Sequence, residues 1–285
     1  MKKIAFFNEI IPQYDTFVFD IWGVVHDGYR PFPKLRPTLE ALREAHKQVI
    51  FLSNMSQPSS EVEQHLQAME VPRDLYDCAY SSGQATLNYL TKRTQEKPLS
   101  CLHVNNDISF RKYFSQHPLF FVDTPHLADF LLVARGSLLS SFAQNTDVLK
   151  EAIARGLPLI CANPDTSVVI EGKLHARTGS LAHTYEELGG TVISFGKPHP
   201  EIFEDIMQKI PHGSRIIMIG DSLETDIAGA QAHAWDTMLV LTGVTAHRYG
   251  WLYDLPTSEE LTPLRKLRSP PTWVFKGFDG VKTHF

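Results

Sequence analysis

The chain lacks several features that would fix its class at a glance. Its 285 residues include only three cysteines, Cys78, Cys101 and Cys161, an odd set without metal-type spacing. A disulfide framework is excluded, and buried free thiols in a reducing cytosol are the expectation. No apolar run approaches the ~20 residues of a membrane span. Lys2 and Lys3 precede the apolar Ile4–Phe7, but Asn8 and Glu9 end that run too early for a signal-peptide core, so a cytoplasmic protein without membrane contact is expected. Basic blocks are missing too, and the net charge is −5, which argues against a nucleic-acid partner. Prolines and glycines are scattered rather than clustered, and no fixed period repeats, so neither a linker nor a low-complexity tract marks a domain border.

What remains is an ordinary globular composition, 43% hydrophobic and 21% charged, long enough for one large α/β domain or two medium ones. Short apolar runs alternate with helical patterns, the signature of βα units on a largely parallel sheet. Strands are expected at Thr16–Asp20, Val49–Leu52, Leu99–Val104, Phe130–Val133, Leu159–Ala162, Val192–Phe195, Ile216–Ile219 and Met238–Leu241, with a closing edge strand at Trp273–Phe275. Leu35, Leu39 and Leu42 recur at helical spacing. Ser60 with Glu63 reads as a capping box opening a helix through Glu70, and further helices are expected over Gln84–Lys92 and Asp147–Arg155.

Four of these strands end in reactive residues: Asp20, then Ser53-Asn54, then Lys197 beyond Phe195-Gly196, then Asp221 with Asp226 five residues on. Open α/β sheets bind ligands outside the carboxyl ends of their strands. If these strands are neighbours, three carboxylates, a hydroxyl and an ammonium converge on one crevice. Clustered carboxylates suit a hard cation such as Mg²⁺, a carboxylate can act as a nucleophile, and a lysine with a hydroxyl can stabilise phosphoryl oxygens. Each residue alone has a plainer reading: Asp20 as a helix cap, Ser53-Asn54 and Gly220-Asp221 as turns, Lys197 as a solvated loop lysine. Order and placement together favour the site.

These residues resemble the motifs of the haloacid dehalogenase superfamily. Phe19-Asp20-Ile21-Trp22-Gly23-Val24 resembles its first motif, Leu52-Ser53-Asn54 the second, Gly196-Lys197-Pro198 the third, and Gly220-Asp221-Ser222-Leu223-Glu224-Thr225-Asp226-Ile227 the fourth, all in family order. The segment between the second and third motifs is similar to the class IIA cap of p-nitrophenylphosphatase-like and sugar-phosphatase-like members, with Ala162-Asn163-Pro164-Asp165 and Gly179-Ser180-Leu181 as its signatures; His26-Asp27 and Pro271-Thr272-Trp273 fit as well. The resemblance implies a Rossmann-like core with a parallel sheet at 1–57 and 195–285, and a large α/β cap at 58–194. It implies a magnesium-dependent phosphatase-like hydrolase acting on a small phosphorylated metabolite. Asp20 would be the nucleophile and a metal ligand, Trp22 would lend its backbone carbonyl to the metal, and Asp221 and Asp226 would complete the site. Ser53 and Asn54 would hold the phosphoryl group, Lys197 would neutralise it, and Asn163, Asp165, Gly179 and Ser180 would meet the substrate.

One position departs from the pattern. Phosphatases of this superfamily carry a second aspartate two residues after the nucleophile as general acid/base, and here that position is Trp22. An indole N–H only donates. His26, Asp27 and His199 are the candidate substitutes. Arg135 is a weaker candidate for meeting a substrate anion, and Asp165 reads equally well as a turn residue. Two other readings stay open: a dehalogenase-like hydrolase, and a catalytically impaired phosphate-binding or regulatory protein. The substrate's identity is not legible, and a homodimer is left open.

Overall fold

The computed structural model describes residues 1–104, 108–115, 117–134, 146–252 and 254–278. In chain order its strands are β1 (Lys2–Ile4), β2 (Thr16–Phe19), β3 (Gln48–Ser53), β4 (Cys78–Ser81), β5 (Leu99–His103), β6 (Leu119–Val122), β7 (Phe130–Val133), β8 (Leu159–Cys161), β9 (Ser167–Ile170), β10 (Lys173–Ala176), β11 (Val192–Ser194), β12 (Ile216–Gly220), β13 (Asp236–Val240) and β14 (Trp273–Phe275).

The short apolar runs are strands because they are buried on both sides, as parallel sheets require. Phe17 and Phe19 of β2 pack into one aromatic-rich cluster with Phe7, Phe51 and Phe278. Val18, between them, faces the opposite layer with Ile50, Met218 and Phe203. Seven strands form one parallel sheet in the order β1-β14-β13-β12-β2-β3-β4. In it β2 is an interior strand, next to the central β12, with Phe19 level with Ile219 on one side and Phe51 on the other. The carboxyl ends of β12, β2 and β3 therefore open on one crevice.

A second parallel sheet has the order β11-β8-β7-β5-β6, and β9 and β10 form a separate antiparallel hairpin. Helices Thr146–Ala154 and Gly179–Glu187 pack on this sheet, Leu149, Ala152, Leu181 and Tyr185 being buried against Leu131, Val133 and Leu159.

Several expectations need correction. The Ser60–Glu63 capping box does not form: the helix runs Ser59–Ala68 from Pro58 without a side-chain cap. Trp273–Phe275 is not an edge, because β1 pairs outside it. Lys197 does not follow a strand of the first sheet, since β11 pairs with β8 in the second and Lys197 lies on the return path between sheets. The border expected at residue 58 also divides elements that belong together. Strand β4 hydrogen-bonds to β3, with Ser53 opposite Ser81, so the first sheet extends to Ser81 before the chain crosses over. Arg135 lies outside the described residues.

Candidate active site

Asp20 takes its place from the end of the interior strand β2, where its amide donates to the carbonyl of Ile219 (2.9 Å). After it the chain must turn at once. Gly23 does so with φ +80°, and a Cβ there would stand 2.9 Å from the Asp221 carboxylate. Glycine is thus required both by its left-handed backbone and by the carboxylate it faces. Asp221, at the end of β12, accepts the Val244 amide at 2.5 Å. The next turn, Leu223–Ile227, is a wide π-helical one. It folds Asp226 back so that its Oδ2 accepts the amides of Asp221 and Ser222, both at 3.1 Å.

Lys197 is 1% exposed and fully engaged. Its ammonium donates to Asp20 (2.6 Å) and to the carbonyl of Leu52 (2.8 Å), and lies 2.7 Å from Asp226. Burial pulls its pKa down, but Asp20, Asp226 and Asp165 together hold it above the usual lysine value. Asn54 locks the backbone of Lys197 reciprocally, accepting its amide (2.7 Å) and donating to its carbonyl (3.0 Å). The same amide nitrogen of Asn54 donates to Asp165 (2.7 Å), which ties the second motif to the loop after β8. Ser53 is buried and accepts the Met55 amide at 3.2 Å.

The charges do not balance. Asp20, Asp221 and Asp226 present oxygens within 4.8 Å of one another, against the single ammonium of Lys197. Burial pushes Asp20 up to about 7, opposed by Lys197 and reinforced by Asp226. Burial also raises Asp221 well above the carboxylate range, with Asp226 and Asp20 adding to it. Buried carboxylates in this excess need a cation, and an all-oxygen donor set suits a hard divalent one.

Two cavities meet here, of about 200 and 300 Å³. Asp20, Trp22, Asp165 and Val168 border both. Lys197 and Asp221 face the smaller, Ser53, Asn163 and Arg177 the larger. At the smaller cavity's wall Arg248 pairs with Glu224.

Trp22 is half-buried and donates its indole N–H to the carbonyl of Val169 in β9 (2.9 Å), while the Arg177 guanidinium lies 5.0 Å over its ring. Of the three substitutes expected for it, none borders either cavity. His26 is fully buried, accepting the Gly28 amide on Nδ1 and meeting His65 Nε2 at 2.9 Å, and burial lowers its pKa to about 4. Asp27 caps a turn through the amides of Tyr29 and Arg30. His199 only precedes the helix Pro200–Met207.

Gly179 and Ser180 also border neither cavity. A Cβ on Gly179 would stand 2.1 Å from the Pro164 carbonyl, so this glycine lets its helix pack against the Asn163–Asp165 loop; Ser180 donates to the Thr166 carbonyl (2.8 Å). Three residues at the site carry no sequence signal of their own. Arg177 precedes a helix start, His65 lies mid-helix, and the Val244 amide follows an unremarked glycine.

Comparison with known proteins decides the family. Two models of haloacid dehalogenase-like hydrolases match residues 17–116 and 122–234, and a third, of HAD-hydrolase-like proteins, matches 194–277. The chain belongs to the haloacid dehalogenase-like hydrolases. A relative of this hydrolase, the 4-nitrophenylphosphatase of Schizosaccharomyces pombe, is 25% identical over 268 residues, covering 84% of this chain and 87% of the relative. Its fold matches that of a haloacid dehalogenase-like family hydrolase from Brucella suis, with TM-score 0.79 at 24% identity over 96% of this chain and 99% of the other. It also matches a glycerol phosphate phosphatase from Mycobacterium tuberculosis in complex with magnesium, with TM-score 0.68 at 20% identity over 94% and 77% of the two chains. The hydrolase is thus a mixed α/β fold with parallel sheets. Among its described residues no helix is long and apolar enough to cross a membrane.

Proposed function

We propose that this hydrolase is a magnesium-dependent phosphomonoesterase that works through an aspartyl-phosphate on Asp20. One observation carries the reading: a buried carboxylate at the end of an interior strand of the sheet, held by a lysine ammonium at 2.6 Å, beside two further carboxylates. The phosphatase name of the 25% identical relative supports the reaction class, and the magnesium complex of the fold neighbour supports the metal.

Asp20, Asp221 and Asp226 would hold the cation, with the backbone carbonyl of Trp22 as a further ligand. Bound there, it would neutralise phosphoryl charge. Lys197 holds the nucleophile and shares the charge on the phosphoryl oxygens. Ser53, with Asn54 behind it, positions the phosphoryl group. Asp20 attacks phosphorus, the ester P–O bond breaks with its electron pair on the ester oxygen, and the leaving group departs into the larger cavity as an oxyanion that takes its proton from water. Water then cleaves the aspartyl-phosphate. The second sheet and its hairpin act as the cap that excludes bulk water and meets the small metabolite through Asn163 and Asp165. Trp22 stands where an acid/base would, with its one proton committed to Val169.

Asp20→Asn abolishes hydrolysis of 4-nitrophenyl phosphate while leaving the fold intact. Asp221→Asn raises the magnesium concentration needed for half-maximal rate. Wild-type turnover in Asp20→Asn ends the proposal.

A further inference from the structure

The leaving group's side of the site is built with a cation. The larger cavity opens at Asp20 and Ser53 and runs to the loop that precedes the helix Gly179–Glu187. Among the described residues bordering it, Arg177 is the single lysine or arginine. Two carboxylates, Asp20 and Asp165, border the same space, so any further negative charge on an entering ester would meet a field that repels it.

Arg177 is placed against that field. Its guanidinium lies over the Trp22 indole at 5.0 Å, and the indole is itself fixed by its bond to Val169. A guanidinium over an aromatic face keeps its N–H donors in its own plane, in the fork geometry that matches a carboxylate or phosphate. Its backbone is pinned as well: the Arg177 amide donates to the Thr166 carbonyl (2.9 Å), and its carbonyl accepts the Ser180 amide (3.0 Å). Arg177 is not the main partner of Asp165, because Asn54 bonds that carboxyl directly and the Lys197 ammonium weighs on it more strongly.

We propose that Arg177 selects esters whose leaving group carries a second anion, a carboxylate or another phosphate, over neutral alcohols of the same size. This rests on the phosphomonoesterase reading and names its substrate class. Trp22 is then the platform that holds the guanidinium, in place of an acid two residues after the nucleophile.

The test compares 3-phosphoglycerate with glycerol 3-phosphate. Calorimetry on Asp20→Asn with magnesium measures binding without turnover, and kcat/KM is measured on the wild-type chain. A charge-assisted contact of this kind is worth about 10–100-fold. The carboxylated ester binds that much more tightly. Arg177→Gln costs the carboxylated ester that factor and glycerol 3-phosphate a smaller one, so the preference is lost, while Arg177→Lys keeps part of it. Equal binding of the two esters, or an equal loss for both in Arg177→Gln, overturns the selection and leaves the phosphatase reading standing. Failure of both esters to bind or react overturns the selection, and failure of 4-nitrophenyl phosphate as well overturns the phosphatase reading.

Discussion

The bond from the Trp22 indole to Val169 joins the turn after Asp20 to the β9–β10 hairpin, and its removal has a calculable effect. Trp22→Phe keeps an aromatic face beneath Arg177 but deletes the donor. A net hydrogen bond contributes about 1 kcal/mol, and an acceptor left unpaired raises the cost towards ~2. At 1.4 kcal/mol per tenfold, the hairpin should open about 5–30 times more often. Trp22→Leu also loses the cation–π contact, worth about 0.5–1 kcal/mol, for a further ~2–5-fold. Hydrogen exchange reads this directly. Amides of Ser167–Ala176 should exchange faster by those factors, while amides of Thr16–Phe19 in the sheet interior keep their protection. If the hairpin's exchange is unchanged in both variants, the indole does not tether it. If protection falls equally in both regions, the substitution merely destabilises the fold.

Three further outcomes follow from the same geometry. With no acid at position 22, 4-nitrophenyl phosphate should give a burst of nitrophenol followed by a slow steady rate, and alkyl esters should react roughly 10²–10⁴-fold more slowly; equal rates without a burst would hand the proton to Asp165 or His65, which border the larger cavity. His26 titrates near 4 when folded, against 6.5 unfolded. Its contribution is therefore complete above pH 6.5 and declines towards pH 4, by about 3 kcal/mol at most. The stability gap between wild type and His26→Gln should narrow on acidification, and parallel curves would contradict the burial argument. Asn54→Ala breaks three bonds around Lys197 and Asp165. It should cost about 2–4 kcal/mol in denaturant unfolding, and a loss below half that would mean water replaces the amide.

Strand ends were legible because parallel strands read as apolar runs closed by a polar residue. Asp20, Ser53 and Asp221 could therefore be read as sharing one crevice if their strands were neighbours, and β12-β2-β3 are adjacent. Lys197 was legible as a motif residue but not by route, since nothing in Val192–Phe195 says which sheet the strand joins. The same blindness set the border at 58, because pairing of β4 with β3 is a long-range choice that local periodicity does not encode. β1 was hidden by its two lysines, which are exposed at the sheet edge. Ser60-Glu63 fitted a capping box by spacing alone, yet Pro58 had already started the helix one residue earlier. The substitutes for Trp22 failed for a similar reason: nearness in sequence to Asp20 put His26 behind the crevice, whereas Asp165, Arg177 and His65 reach it from afar.

The central claim is covalent chemistry at Asp20, and rapid acid quenching tests it most directly. The wild-type chain is mixed with magnesium and 4-nitrophenyl phosphate, stopped during the first turnover, digested and analysed by peptide mass. The account predicts one phosphoryl group on the peptide carrying Asp20, none in Asp20→Asn, and its release by hydroxylamine as expected of an acyl phosphate. Phosphate on Ser53, or nitrophenol formed at full rate with no phosphopeptide, would contradict it.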